Sequence, residues 1–154
     1  MVYFEDTGTL IAAPLEFVWE YLVSEHHGPA HAKSARHFEV RETIGATAVI
    51  AAERFLDGHW KRFVSRSTDF PPFCVCNEEI EGDFAGTKFV LLYRPVGGQT
   101  QVDVFGDVQS TEFPPDVAKR RFLGLLEAAY LDDLPVLLEL RRVRAAARDP
   151  AAAP

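Results

Sequence analysis

The chain has 154 residues, 47% hydrophobic and 25% charged, which is the size of one domain and too apolar for wholesale disorder. A chain this long buries about 68–70% of its unfolded surface and needs no disulfide or metal to hold it together. Sixteen Lys+Arg against 23 Asp+Glu leave a net charge of −7, a field that repels nucleic acid and anionic membrane and excludes both as expected partners. Two features are less ordinary. Twelve Phe, four Tyr and two Trp supply apolar area for a bulky core or a cavity wall. Four of the five histidines, His26, His27, His31 and His37, fall within twelve residues.

Residues Val2 to Ala12 alternate and carry Tyr, Phe, Thr and Ile, which predicts a strand. Pro14 suits the first position of a helix, and Leu15, Val18, Trp19 and Leu22 recur at helical spacing, predicting a short amphipathic helix over 15–24. Gly28-Pro29 reads as its break, with another helical turn over 30–36. Strands are then predicted at His37–Ile44, Ala46–Leu56, His59–Ser67, Phe73–Glu81, Phe84–Arg94 and Gln99–Ser110. Asp57-Gly58 and Gly97-Gly98 between alternating runs signal hairpins, so neighbours should be antiparallel. Gly106 inside the last strand suggests a bend or bulge, and Asp103 and Asp107 fall on the face opposite Val102 and Val104, read as the solvent side.

After Pro114-Pro115 the pattern is helical for about 30 residues, with Asp116 as the expected N-cap. Phe122, Leu125, Leu126, Ala129, Asp133, Leu137 and Leu140 form one stripe, and Pro135 is expected to kink it. The domain is expected to cover residues 1–144, with 145–154 as a disordered tail. Cys74 and Cys76, in a strained spacing for a disulfide, read as reduced thiols in a cytoplasmic protein. No signal peptide is visible at Met1–Asp6 and no apolar run approaches the roughly 20 residues of a membrane span, so an integral membrane protein is not expected.

The order of strand, short helices, six antiparallel strands and long C-terminal helix resembles the helix-grip fold of the START-like superfamily, also called SRPBCC or polyketide cyclase/dehydrase and lipid transport. The stretch Ile11-Ala12-Ala13-Pro14-Leu15-Glu16-Phe17-Val18-Trp19 is similar to that family's opening, where a strand turns through Ala-Pro into the first helix. The resemblance covers roughly residues 1–143. It implies an α+β fold in which a curved antiparallel sheet of about seven strands wraps the C-terminal helix, leaving an apolar cavity for a lipid, polyketide or aromatic compound. Some members of the family catalyse cyclisation or dehydration, so an enzyme of that type is the alternative.

The residues themselves leave two outcomes open for the aromatics, a filled core or a lined pocket. Candidate cavity walls are Trp19, Phe55, Phe63, Phe89, Phe105, Phe122, Leu126, Ala129 and Tyr130. Glu53 with Arg62 or Arg66 is a weaker candidate for a polar anchor, more simply read as surface charge. No Gly-rich phosphate loop or nucleophile elbow is present.

His26 and His31 stand in a His-x4-His relation, and His27 and His31 are four apart, a spacing that shares one face of an unbroken helix. A solvated His-rich loop is the plainer reading. The catalytic domain of Rieske-type ring-hydroxylating oxygenases, within the same superfamily, is similar in placing His-x4-His after its early helix with an Asp from the C-terminal helix. That resemblance implies His26, His31 and Asp133 as ligands of one divalent iron or zinc ion, although Val23 stands where the fuller motif has Asp and no Rieske cluster ligands are encoded. Asp133 on the apolar stripe adds weight, since a carboxylate on a buried face needs a partner.

Overall fold

The computed structural model describes residues 1–149 and 151. Its elements follow the chain as β1 (Val2–Ile11), α1 (Leu15–Leu22), α2 (His27–Ala30), β2 (Ala35–Ile44), β3 (Thr47–Leu56), β4 (His59–Phe70), β5 (Cys74–Glu81), β6 (Lys88–Val96), β7 (Gln99–Val108) and α3 (Pro115–Arg148). The β3–β4 turn takes positive φ at Asp57 and Gly58, and the β6–β7 turn at Gly97 and Gly98. Two successive positive-φ residues match the twist of a two-residue hairpin, which is why these dipeptides join adjacent antiparallel strands.

All pairings are antiparallel, in the order β1-β7-β6-β5-β4-β3-β2. The strands form an open, seven-stranded sheet with β1 and β2 at its edges, and α3 packs against it: a helix-grip α+β fold. The shared core joins Val102, Val104 and Val108 of β7 and Tyr93 of β6 to Leu15 and Val18 of α1 and Ala118, Phe122 and Leu137 of α3. The Thr100 hydroxyl donates to the Ala13 carbonyl at 2.8 Å, and the Arg144 guanidinium donates to Glu20 at 2.7 Å. These contacts fasten α1 to the sheet and to the far end of α3.

Several local expectations are corrected. Gly28-Pro29 lies inside α2 instead of ending a helix, because proline is tolerated in a first turn where its missing N–H has no partner to lose. Phe84 precedes β6, buried beneath a turn bounded by Gly82 and Gly86, both at positive φ. Pro114, not Asp116, occupies the N-cap of α3; Asp116 sits in the first turn, where its charge meets the positive pole of the helix. The helix runs unbroken through Pro135 and continues to Arg148. Residues 145–148 of the expected tail are thus helical, as three successive alanines favour, while its residues 150 and 152–154 lie outside the described residues.

Gly106 does not interrupt the sheet: it pairs in register with Phe4 on one side and Phe89 on the other. A Cβ there would lie 2.2 Å from the Lys88 carbonyl oxygen and 2.7 Å from Phe89 Cα. The missing side chain instead lets Phe4 and Phe89 approach to 6.5 Å between ring centroids across β7. Asp103 is 7% exposed, not a solvent-facing residue. It accepts from the Gly8 N–H at 2.8 Å, where β1 shifts register, and from Arg94 and Gln101. These three donors hold its carboxyl below the usual range, the Gln101 bond contributing most.

Candidate functional site

At one end the space between sheet and helix is filled by aromatics. Phe122 of α3 lies edge-on to Phe4, Phe84 and Phe89, with centroids 5.3–5.4 Å apart. Beside this hub, Arg54 of β3 stacks on Phe63 at 3.8 Å and donates to Glu79 of β5 at 2.5 Å. Glu79 also accepts from the Phe84 N–H. Burial pushes the Glu79 carboxyl up and the Arg54 guanidinium pulls it back.

Further along, the space stays open as a cavity of about 1020 Å³, at the upper end of small-molecule sites, which run to about 1,000 Å³. The reason is local and chemical. The β4 residues lining the cavity are Ser65, Ser67 and Asp69, joined by Asn77 of β5, all short or polar. Opposite them α3 presents Gly124 and Ala129, and a Cβ added at Gly124 would touch nothing within 4 Å. Leu126, Tyr130 and Leu134 are among the other α3 residues of this wall, with Arg120 and Glu127, and Trp19 of α1 meets Tyr93 edge-on at 6.1 Å on another side.

A titratable cluster occupies the part of the cavity where α1, α2 and α3 converge. Tyr21, His27, His31 and Asp133 all line it. The Tyr21 hydroxyl donates to Asp133 Oδ1 at 2.7 Å. His31 Nε2 lies 3.3 Å from Asp133 Oδ1, and His27 Nε2 lies 3.6 Å from Asp133 Oδ2. The two imidazoles stack edge-on at 4.9 Å. His31 is 9% exposed, and its Nδ1 is buried without a hydrogen-bond partner among the described residues. That nitrogen stands 3.9 Å from Asp132 Oδ2, which accepts from the Ser34 hydroxyl at 2.5 Å.

Burial dominates the proton chemistry here. It lowers the His31 pKa despite the attraction of Asp133, and raises the Tyr21 hydroxyl, whose bond to Asp133 adds to the effect. Burial also lifts the Asp69 carboxyl, against the pull of nearby His27. The Tyr93 hydroxyl is raised for the same reason, helped by Asp133 and Asp69. The arrangement gathers proton donors, acceptors and potential metal ligands in one part of a cavity lined by both apolar and polar side chains.

Of the residues expected to line a cavity, Trp19, Leu126, Ala129 and Tyr130 do so. The other five lie elsewhere. Phe89 and Phe122 are spent in the aromatic hub, and Phe63 lies under the Arg54 guanidinium beside the Glu79 ion pair. Phe55 is 46% exposed and packs on Trp60. Phe105 borders a shallow groove with Lys88 and Asp107, outside the cavity. Glu53 pairs with Arg36 and His37, and Arg66 with Glu78, so neither forms an anchor in the cavity.

His26 is also misplaced as a ligand. It is the exposed residue preceding α2, and His27, one helical turn from His31, takes the position beside Asp133. Sequence reasoning did not single out Tyr21, Asp69 or Tyr93. Tyr21 carried a signal, three residues after Val18 in α1 with a polar tip; the Ser65, Ser67, Asp69 alternation carried another, a polar face where a core strand would show an apolar one.

No family model matches the chain, and no curated protein matches it. Solved structures do. A protein of Thermus thermophilus superposes with a TM-score of 0.76 at 16% identity, over 90% of this chain and 99% of that one. The Zhui aromatase/cyclase of Streptomyces sp. R1128 gives 0.72 at 22% identity, over 94% and 97%. A START superfamily protein of Mycobacterium smegmatis gives 0.70 at 15%, over 90% and 98%. The chain has the START-like helix-grip fold that its element order suggested. These likenesses lend nothing to the partial resemblance to Rieske-type oxygenases. Among the described residues, no helix is long and apolar enough to cross a membrane.

Proposed function

We propose that this protein binds a hydrophobic small molecule, a lipid, polyketide or aromatic compound, in the cavity between β4–β7 and α3. The observation that carries the reading is the cavity itself, about 1020 Å³ kept open by Gly124 and Ala129 facing short polar side chains. Apolar burial against Leu126, Tyr130 and Leu134 supplies the driving force, about 25 cal/mol per Å². The polar line of Ser65, Ser67, Asp69 and Asn77 orients any oxygen functions on the ligand. The aromatase/cyclase and START names of structural neighbours lean the same way. Free thiols at Cys74 and Cys76 fit a cytoplasmic setting.

Titration with the neutral fluorophore N-phenyl-1-naphthylamine tests this. Saturable one-to-one binding, displaced by an authentic ligand, is expected; the absence of saturable binding would overturn it.

A second reading, an enzyme of the cyclase or dehydratase type, is favoured by the carboxyl and imidazole groups that line the cavity edge. Asp69 and His31 both line the cavity, a carboxyl lifted by burial and an imidazole lowered by it, the two kinds of group that donate and accept protons in a dehydration. Turnover of β-hydroxy ketones that is lost in Asp69→Asn, with N-phenyl-1-naphthylamine binding retained, would distinguish it from binding alone.

A further inference from the structure

We propose that His27 Nε2, His31 Nε2 and a carboxylate oxygen of Asp133 form a binding site for one divalent first-row transition-metal ion, open on its remaining positions to the cavity. One atom from each residue can be chosen so that all three lie within 4.8 Å of one another. Bonds of about 2.0–2.2 Å at tetrahedral angles set ligand atoms roughly 3.3–3.6 Å apart. The imidazole–carboxylate separations are 3.3 Å from His31 Nε2 to Asp133 Oδ1 and 3.6 Å from His27 Nε2 to Asp133 Oδ2. For one carboxylate oxygen to serve both imidazoles, the Asp133 carboxylate has to turn slightly and the imidazole nitrogens have to draw together; His27 begins the short α2 and His31 follows its last residue.

A hydrogen-bonded cluster explains the same residues less well. Asp133 takes its hydrogen bond from Tyr21, while the His27 contact at 3.6 Å is too long to be one. Two imidazoles crowd one carboxylate, and His31 Nδ1 is left buried and unpartnered. A metal on His31 Nε2 would fix the proton on Nδ1. A ligating imidazole carries its proton on the other nitrogen and donates it to an outer carboxylate. Asp132 Oδ2, already held by Ser34, is the nearby carboxylate, 3.9 Å away, and has to close that gap to accept it.

Two nitrogens and one oxygen select a first-row transition ion over magnesium or calcium, which favour all-oxygen sets. Three protein ligands leave at least one position free, and all three residues line the cavity. A phenolate or enolate oxygen on a bound organic molecule is the chemistry that fits there. The metal site stands on its own geometry and does not require that an organic ligand be bound.

The test is titration of tag-free, chelator-treated protein with Co²⁺ alone, followed by visible absorption, with Zn²⁺ competition by calorimetry. One equivalent is expected to bind, with the intense absorption of a low-coordinate nitrogen–oxygen site. Affinity should fall at least tenfold in His27→Ala and in Asp133→Asn, roughly ten- to a hundredfold in Asp132→Asn, and stay unchanged in His26→Ala. Asp133→Asn keeps an acceptor for Tyr21, and circular dichroism establishes that it is folded. No saturable binding, or binding indifferent to both His27→Ala and Asp133→Asn, would overturn the site. N-phenyl-1-naphthylamine binding by the metal-free protein reports on the cavity alone, so failure of one reading is separable from failure of the other.

Discussion

Gly124 is where the existence of the cavity can be tested apart from its chemistry. It lies within α3, lines the cavity, and a Cβ there would meet nothing within 4 Å. A glycine inside a helix is about 0.8–1.0 kcal/mol less favourable than alanine, because its backbone loses more freedom on folding. With space for the methyl group, Gly124→Ala should therefore stabilise the protein by about 1 kcal/mol. For a chain of this size that raises the melting temperature by roughly 2–4 °C. N-phenyl-1-naphthylamine binding should be nearly unchanged. Gly124→Phe keeps much of the helical gain but places a ring in the cavity, and should weaken the probe at least tenfold, about 1.4 kcal/mol. Thermal denaturation followed by circular dichroism and fluorescence titration read the two effects separately. A destabilised Gly124→Ala, or a Gly124→Phe that binds the probe as tightly as the parent, would refute the argument.

Three other substitutions probe how the cavity is framed. Arg54→Ala strands Glu79, 4% exposed, without its charged partner, and should cost about 3–5 kcal/mol in urea denaturation at neutral pH; a loss under about 1 kcal/mol would mean the pair is not buried as described. Gly106→Ala drives a Cβ into backbone on β6 and should destabilise by at least the 1–3 kcal/mol typical of overpacking; an unchanged denaturation midpoint would contradict the close β6–β7 approach. Asp103 has a folded-state pKa below 3.8, so its contribution is present above that value and is lost as pH falls through the folded pKa. Asp103→Asn should accordingly flatten the acid side of the stability–pH curve below about pH 4, and an acid limb identical to the parent's would show that its three donors contribute nothing.

Much of the architecture is local and therefore readable in the chain. Asp57-Gly58 and Gly97-Gly98 determine their hairpins because few residues other than glycine and Asp or Asn adopt positive φ cheaply. The alternation of Val102, Val104 and Val108 marks the inner face of β7, and Phe122, Leu126, Ala129 and Leu137 mark the inner stripe of α3. The same stripe exposed Asp133 as a carboxylate on an apolar face, and the cavity contains it.

Which aromatics line space and which fill it was decided only by tertiary structure. Phe89 and Phe122 satisfy the same periodicity as true cavity walls, but Gly106 lets Phe4 and Phe89 close up, and Phe122 completes their hub. The resemblance pointed to His26, but the residue beside Asp133 is His27, the first of α2, and one residue along a helix rotates a side chain by about 100° about its axis. Asp69 and Tyr21 join His27, His31 and Asp133 from strand and helix positions far apart in sequence, and no local pattern encodes that meeting. Periodicity says which side of an element is buried. Only the packed fold says whether what faces it is another side chain or an open cavity.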